Sequence, residues 1–123
     1  MAKRPLICLV DDDESVRESL PDLLREFGFA VQAFSSAKAF LASVYVPLSD
    51  CLILDVAMPE MSGPDLLTEL RRRGRHMPIV FVTAHVDENL RLRLIAQGAV
   101  DCLFKPFSQT ALLDALEAAL PTR

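Results

Sequence analysis

Four short apolar runs, LICLV (6–10), CLIL (51–54), PIVFV (78–82) and DCLF (101–104), each stop at a polar residue: Asp11, Asp55, Thr83 and Lys105. Runs this brief and this continuous suit strands buried on both faces, and such strands belong to parallel sheets covered by helices. A fifth run, FAVQAF (29–34), alternates apolar and polar residues, as an edge strand with one wetter face does.

Between the runs the apolar spacing turns helical. Val16, Leu20, Leu23, Leu24 and Phe27 form one stripe, and Gly28 can end that helix. Pro21 lies inside the stripe, where proline removes a hydrogen bond and should kink the helix, yet the spacing continues past it. Leu66, Leu67 and Leu70 mark another helix, with Pro64 at its first position and Gly74 near its end. Leu112, Leu113, Leu116 and Leu120 mark the last. Strand and helix alternate along the chain, which predicts an α/β sandwich around a central parallel sheet. At 123 residues this is one domain, 1–123, with a linker expected to begin over 119–123.

If the strands are parallel, the residues that stop them emerge at one edge of the sheet, where open α/β folds bind ligands. Asp11, Asp12 and Asp13 follow the first strand, Asp55 the third, Thr83 the fourth and Lys105 the fifth. Clustered carboxylates without an imidazole or thiolate suit a hard divalent cation such as magnesium. Lysine and threonine add donors for phosphoryl oxygens, and an aspartate can be the nucleophile that forms an acyl phosphate. Asp13, ahead of ESVRESL, can equally be a helix cap and nothing more.

The remaining composition narrows the field. A net charge of −4 gives no general reason to expect nucleic acid or an acidic membrane as a direct partner. No apolar run has the length of a membrane span, and MAKRPLICLV lacks the features of a signal peptide. Cys8, Cys51 and Cys102 are widely spaced and set in apolar runs, so they read as buried thiols of a reducing compartment, the cytoplasm. RRRGR (71–75) reads as a solvated helix end, and His76 as exposed and without function.

LVDDDESVR, LILDVAMPEMSGPDLL, IVFVTAH and GAVDCLFKPF, in this order, resemble the receiver domain of two-component response regulators, and DVAMPEMSG and VDCLFKPF look closest to FixJ-type transcriptional regulators. The resemblance implies a five-stranded sheet in order 2-1-3-4-5 sandwiched by five helices, a flavodoxin-like fold. It implies Asp55 as the phospho-acceptor, with Asp11, Asp12, Asp55 and the Ala57 carbonyl as ligands of Mg2+. Thr83 and Lys105 match the residues that contact the phosphoryl group, and Lys105–Pro106 matches a bond that is usually cis. Gly63 matches a glycine expected to relieve a tight turn after the acceptor. Ala57 and His85 match positions that tune dephosphorylation; Ala57 has no polar side chain to orient water, whereas His85 does.

A sensor histidine kinase is the implied phosphoryl donor, and a rearranged face of helix 4, strand 5 and helix 5 the implied response. The chain is then a switch and not an enzyme acting on an external substrate. Leu92 and Ala96 match a dimer face, which implies a phosphorylation-dependent homodimer, with DNA reached only through an output domain absent from this chain. Cys102 departs from the pattern, because the family usually has an aromatic switch residue there.

Three other readings compete. A magnesium-dependent phosphohydrolase would use Asp11 and Asp13, but the chain is short for its core and cap. A flavin- or nucleotide-binding domain would need a glycine-rich loop after the first strand, and none is present. A receiver that binds partners without phosphorylation normally lacks one of the acidic or lysine positions, all of which are here.

Overall fold

The computed structural model describes residues 4–120. Five parallel strands, β1 (Leu6–Val10), β2 (Ala30–Phe34), β3 (Cys51–Asp55), β4 (Ile79–Thr83) and β5 (Asp101–Phe104), form one sheet in the order β2-β1-β3-β4-β5. The helices are α1 (Glu14–Glu26), α2 (Ala37–Leu41), α3 (Gly63–Arg72), α4 (Glu88–Ala96) and α5 (Gln109–Ala119). A short 3-10 turn at Val46–Leu48, which the apolar pattern does not announce, leads into β3. Of the linker expected over 119–123, Ala119 still belongs to α5 and 121–123 lie outside the described residues.

Alternate residues of each strand feed two cores. Ile7, Leu9, Ile53, Val80 and Val82 pack with Leu20 and Leu24 of α1 and Leu112 and Leu116 of α5. Val10, Leu52, Leu54 and Phe81 pack on the other face with Phe40 of α2, Leu66 and Leu70 of α3 and Leu94 of α4. The continuous runs are buried at every position of β3 and β4, whereas the alternating run forms edge strand β2.

Local chemistry sets the helix ends. Helix α1 runs through Pro21, whose ring is buried, and Gly28 follows its end with φ 97°. Pro64 occupies the second helical position of α3, one later than its spacing suggests, because Ser62 is the cap and Gly63 the first residue. Ser62 and Asp65 close a reciprocal capping box, each side chain accepting from the other's backbone N–H, at 3.2 and 3.4 Å. Gly63 is required for close approach and not for turn geometry: a Cβ there would collide with the carbonyl of Asp55. The arginines of 71–75 are also more than a solvated helix end. Arg72 and Arg73 both pair with Glu69, and Arg71 donates to the carbonyl of Gln97 at the close of α4.

Candidate functional site

Among the described residues the buried polar side chains, the cysteines aside, are Asp11, Asp55 and Thr83, and all three stand at the carboxyl ends of β1, β3 and β4. Neighbouring strands bring them together. Val10 pairs with Leu54 and Asp55 with Val82, so Asp11 arrives beside Asp55 and Thr83 one step beyond. The backbone N–H of Lys105 donates to the carbonyl of Thr83 at 2.8 Å, which carries the lysine to the same pocket.

One carboxylate oxygen from each of Asp11, Asp12 and Asp55 falls within a 4.8 Å cluster. Asp11 is fully buried. Its Oδ1 accepts from the N–H of Asp13 at 2.9 Å, while Oδ2 accepts no aligned hydrogen bond and has the Lys105 ammonium 2.9 Å away. The Lys105 Nζ lies 3.7 Å from Asp55 Oδ1. Burial pushes the Asp55 carboxyl up to about 7, the charge of Asp11 adds to the rise, and Lys105 opposes it. Burial lowers the Lys105 ammonium, but Asp11 and Asp55 outweigh it and hold the group above its usual value.

The pocket therefore gathers more negative charge than its one lysine neutralises, and the donors are hard oxygens with one buried oxygen atom left without an aligned partner. Those are the conditions a small divalent cation satisfies. Asp11, Asp12 and Asp55 fit such an ion. Ala57 is exposed in the loop directly after β3.

Every candidate at this edge has a definite place. Asp13 caps α1, its Oδ1 accepting from the Ser15 N–H at 2.9 Å. Thr83 Oγ1 accepts from the His85 N–H at 3.1 Å, while the His85 imidazole is exposed and stands 3.8 Å from an Asp87 carboxylate oxygen. The Lys105–Pro106 bond is cis. Cys102 is buried in the core under α4, and burial pushes its thiol up to about 11. Leu92 and Ala96 lie together on the exposed side of α4.

One participant is absent from the strand-end pattern. Arg17 of α1 donates from Nη1 to the carbonyl of Asp11 at 2.9 Å and so fixes the backbone that presents the acidic pair. Its spacing, four residues after the cap Asp13, is the available signal, since that places it over the same end of β1. Beside it a groove of about 460 Å³ runs between Val16, Leu20 and Leu23 of α1 and the Lys105–Phe107 segment.

Residues 7–117 match the family described as the response regulator receiver domain. This chain belongs to that family. The receiver is 45% identical over 115 residues to the response regulator protein TodT of Pseudomonas putida, spanning 94% of this chain and 51% of that protein. It is likewise 45% identical over 113 residues to the transcriptional regulatory protein FixJ of Azorhizobium caulinodans, spanning 91% and 53%. The crystal structure of FixJ-N superimposes with a TM-score of 0.84 at 38% identity, covering 96% of this chain and 94% of that one. The receiver thus spans about half the length of the curated relatives it matches. Receiver domains are signalling switches of two-component systems, are phosphorylated by sensor histidine kinases, and generally bind Mg2+ at their acidic pocket. Among the described residues no helix is long and apolar enough to cross a membrane.

Proposed function

We propose that this receiver accepts a phosphoryl group on Asp55 from a histidine kinase, with Mg2+ held by Asp11, Asp12, Asp55 and the carbonyl of Ala57. The observation that carries the proposal is that the buried carboxylates of Asp11 and Asp55 both face the Lys105 ammonium, at 2.9 and 3.7 Å, with buried Thr83 at the end of the next strand. An Asp55 oxygen bonds to phosphorus as the bond from phosphorus to the donor imidazole breaks. A bound Mg2+ would supply charge neutralisation, so that an anionic group can approach a carboxylate. Lys105 is placed to hold a phosphoryl oxygen by charge, and the Thr83 hydroxyl to donate to another. Positioning and electrostatics perform most of the work in such a transfer.

The response is a population shift of the α4–β5–α5 face, driven by contacts that Thr83 and Lys105 make only with the phosphorylated pocket. Exposed Leu92 and Ala96 lie on that face and form part of a homodimer contact in the phosphorylated state, which controls a DNA-binding output domain outside this chain. The single receiver domain, and a cytoplasmic setting for it, belong to the same proposal.

Intact mass after incubation with acetyl phosphate and Mg2+ tests the acceptor. Wild type should gain one phosphoryl group, and neither Asp55→Asn nor an EDTA-treated sample should. A gain retained by Asp55→Asn would overturn the assignment.

A further inference from the structure

Helix α4 is fastened differently from the other helices around the sheet. Only Leu94 of its residues is buried; Leu90 is half-buried against the same core, and Leu92 is 55% exposed. One buried leucine holds a helix weakly, and charge completes the attachment. Arg91 reaches from α4 to β5, with Nη2 donating to Asp101 Oδ1 at 3.0 Å and Nη1 to Glu88 Oε1 at 2.9 Å. The same Asp101 oxygen accepts from the Cys102 N–H at 2.7 Å, so the strand itself orients the carboxylate. At the other end of α4, Arg71 of α3 donates to the Gln97 carbonyl. Buried Cys102, beside Asp101, is too small to spread beneath α4 as a larger side chain would.

The path from α4 to the pocket is continuous. Thr83 Oγ1 accepts from the His85 N–H. Two residues on, Asp87 caps α4, its Oδ1 accepting from Asn89 and Leu90 at 3.0 and 3.1 Å. Movement of Thr83 toward a phosphoryl group therefore pulls on the first turn of α4, and Arg91–Asp101 resists it from β5. The two side chains are 31% and 29% exposed, shielded enough for the pair to contribute and open enough for water to replace it.

We infer that the Arg91–Asp101 pair is a latch: it holds α4 on β5 in the resting state and opposes phosphoryl occupancy of the Asp55 pocket. The coupling half of this inference rests on Asp55 being the acceptor. Because coupling between two sites is reciprocal, the factor by which opening the latch tightens binding of a phosphoryl mimic equals the factor by which the mimic favours the open latch.

The test pairs hydrogen exchange of the α4 amides with a beryllofluoride titration in Mg2+, on wild type, Arg91→Ala, Asp101→Asn and the double variant. Thermal melts of each variant confirm that it is folded, and Arg91→Lys, which keeps the charge without the forked contact, should fall between wild type and Arg91→Ala. Each single variant should speed α4 exchange roughly two- to fivefold and lower the half-saturating beryllofluoride by a similar factor. The α3 amides should not change, and the double variant should add nothing to Arg91→Ala, which already breaks the contact that Asp101→Asn removes. Unchanged α4 exchange in both single variants overturns the latch. So does faster exchange with unchanged or weaker beryllofluoride binding, or additive effects in the double variant. Wild type that fails to bind beryllofluoride overturns the acceptor reading instead, and the exchange data then still decide whether the pair holds α4.

Discussion

Helices α3 and α4 cover the same face of the sheet, follow adjacent strands and are close in length, yet they are attached by different physics. Helix α3 buries Leu66, Leu67 and Leu70, begins with a reciprocal capping box and sets its first residue against the backbone of Asp55. Helix α4 buries Leu94 alone and relies on Arg91 and Arg71 for much of the rest. Burial of several leucines is worth several kcal/mol and tolerates little displacement, whereas a partly exposed ion pair contributes about 1 kcal/mol or less and can be exchanged for water. Helix α3 is part of the scaffold, and α4 is the element with less to hold it in place. Asp55, the proposed acceptor, stands on the fixed side, and Thr83 leads to the movable one.

Truncation of leucines on the two helices gives the largest expected effect. Leu70→Ala should cost roughly 2–5 kcal/mol in urea unfolding, because it empties fully buried volume under α3. Leu92→Ala, on the exposed side of α4, should stay within roughly 0.5 kcal/mol. Equal costs at the two positions would show that the outer face of α4 is packed and not free.

Charge in the pocket gives the next effect. The native Asp55 carboxyl, pushed up to about 7 from an ordinary 3.8, holds its proton more tightly than the unfolded chain does. Its contribution to stability is complete below about pH 4 and is lost as the pH rises through about 7. Metal-free Asp55→Asn, which carries no such charge, should differ little from wild type near pH 4. Above pH 7 it should be more stable, on the order of 2 kcal/mol. Melting curves at pH 5 and pH 8 check the sign, and added Mg2+ should narrow the gap by stabilising wild type. Equal melting at pH 8 would mean that the pocket on the fixed side stores no electrostatic cost.

The same division separates what was legible in the sequence from what was not. LICLV, CLILD and IVFVT are strands because a sheet covered on both faces needs unbroken apolar runs, and the residues that stop them are the ones the pocket gathers. Leu90 and Leu94 could be separated from Leu92 and Ala96 by helical angle alone. The arginine contacts could not. Arg17, Arg71 and Arg91 reach backbone or carboxylate groups on other elements through long flexible side chains, and no periodicity encodes such reach. Gly63 shows the same limit. Its place after Asp55 is visible in MSGPDLL, but its purpose, room for the Asp55 carbonyl, depends on how α3 packs against β3.

Gly98 offers the smallest and finest probe. It follows α4 with φ 106°, a conformation that side chains rarely adopt, and a Cβ there would meet the guanidinium of Arg71. Gly63 would meet a fixed carbonyl instead, which cannot yield without moving β3. At Gly98 the obstacle is the far end of a flexible side chain, so the steric part of the cost is small and the backbone part remains. Gly98→Ala should therefore cost about 1 kcal/mol in urea unfolding. It should also release the end of α4, because Arg71 must give up the Gln97 carbonyl to make room. Hydrogen exchange would then rise in the last turn of α4 and not in α3. Faster exchange throughout α3 would mean that Arg71 ties the two helices into one unit, and the contrast between a fixed and a movable helix would fail.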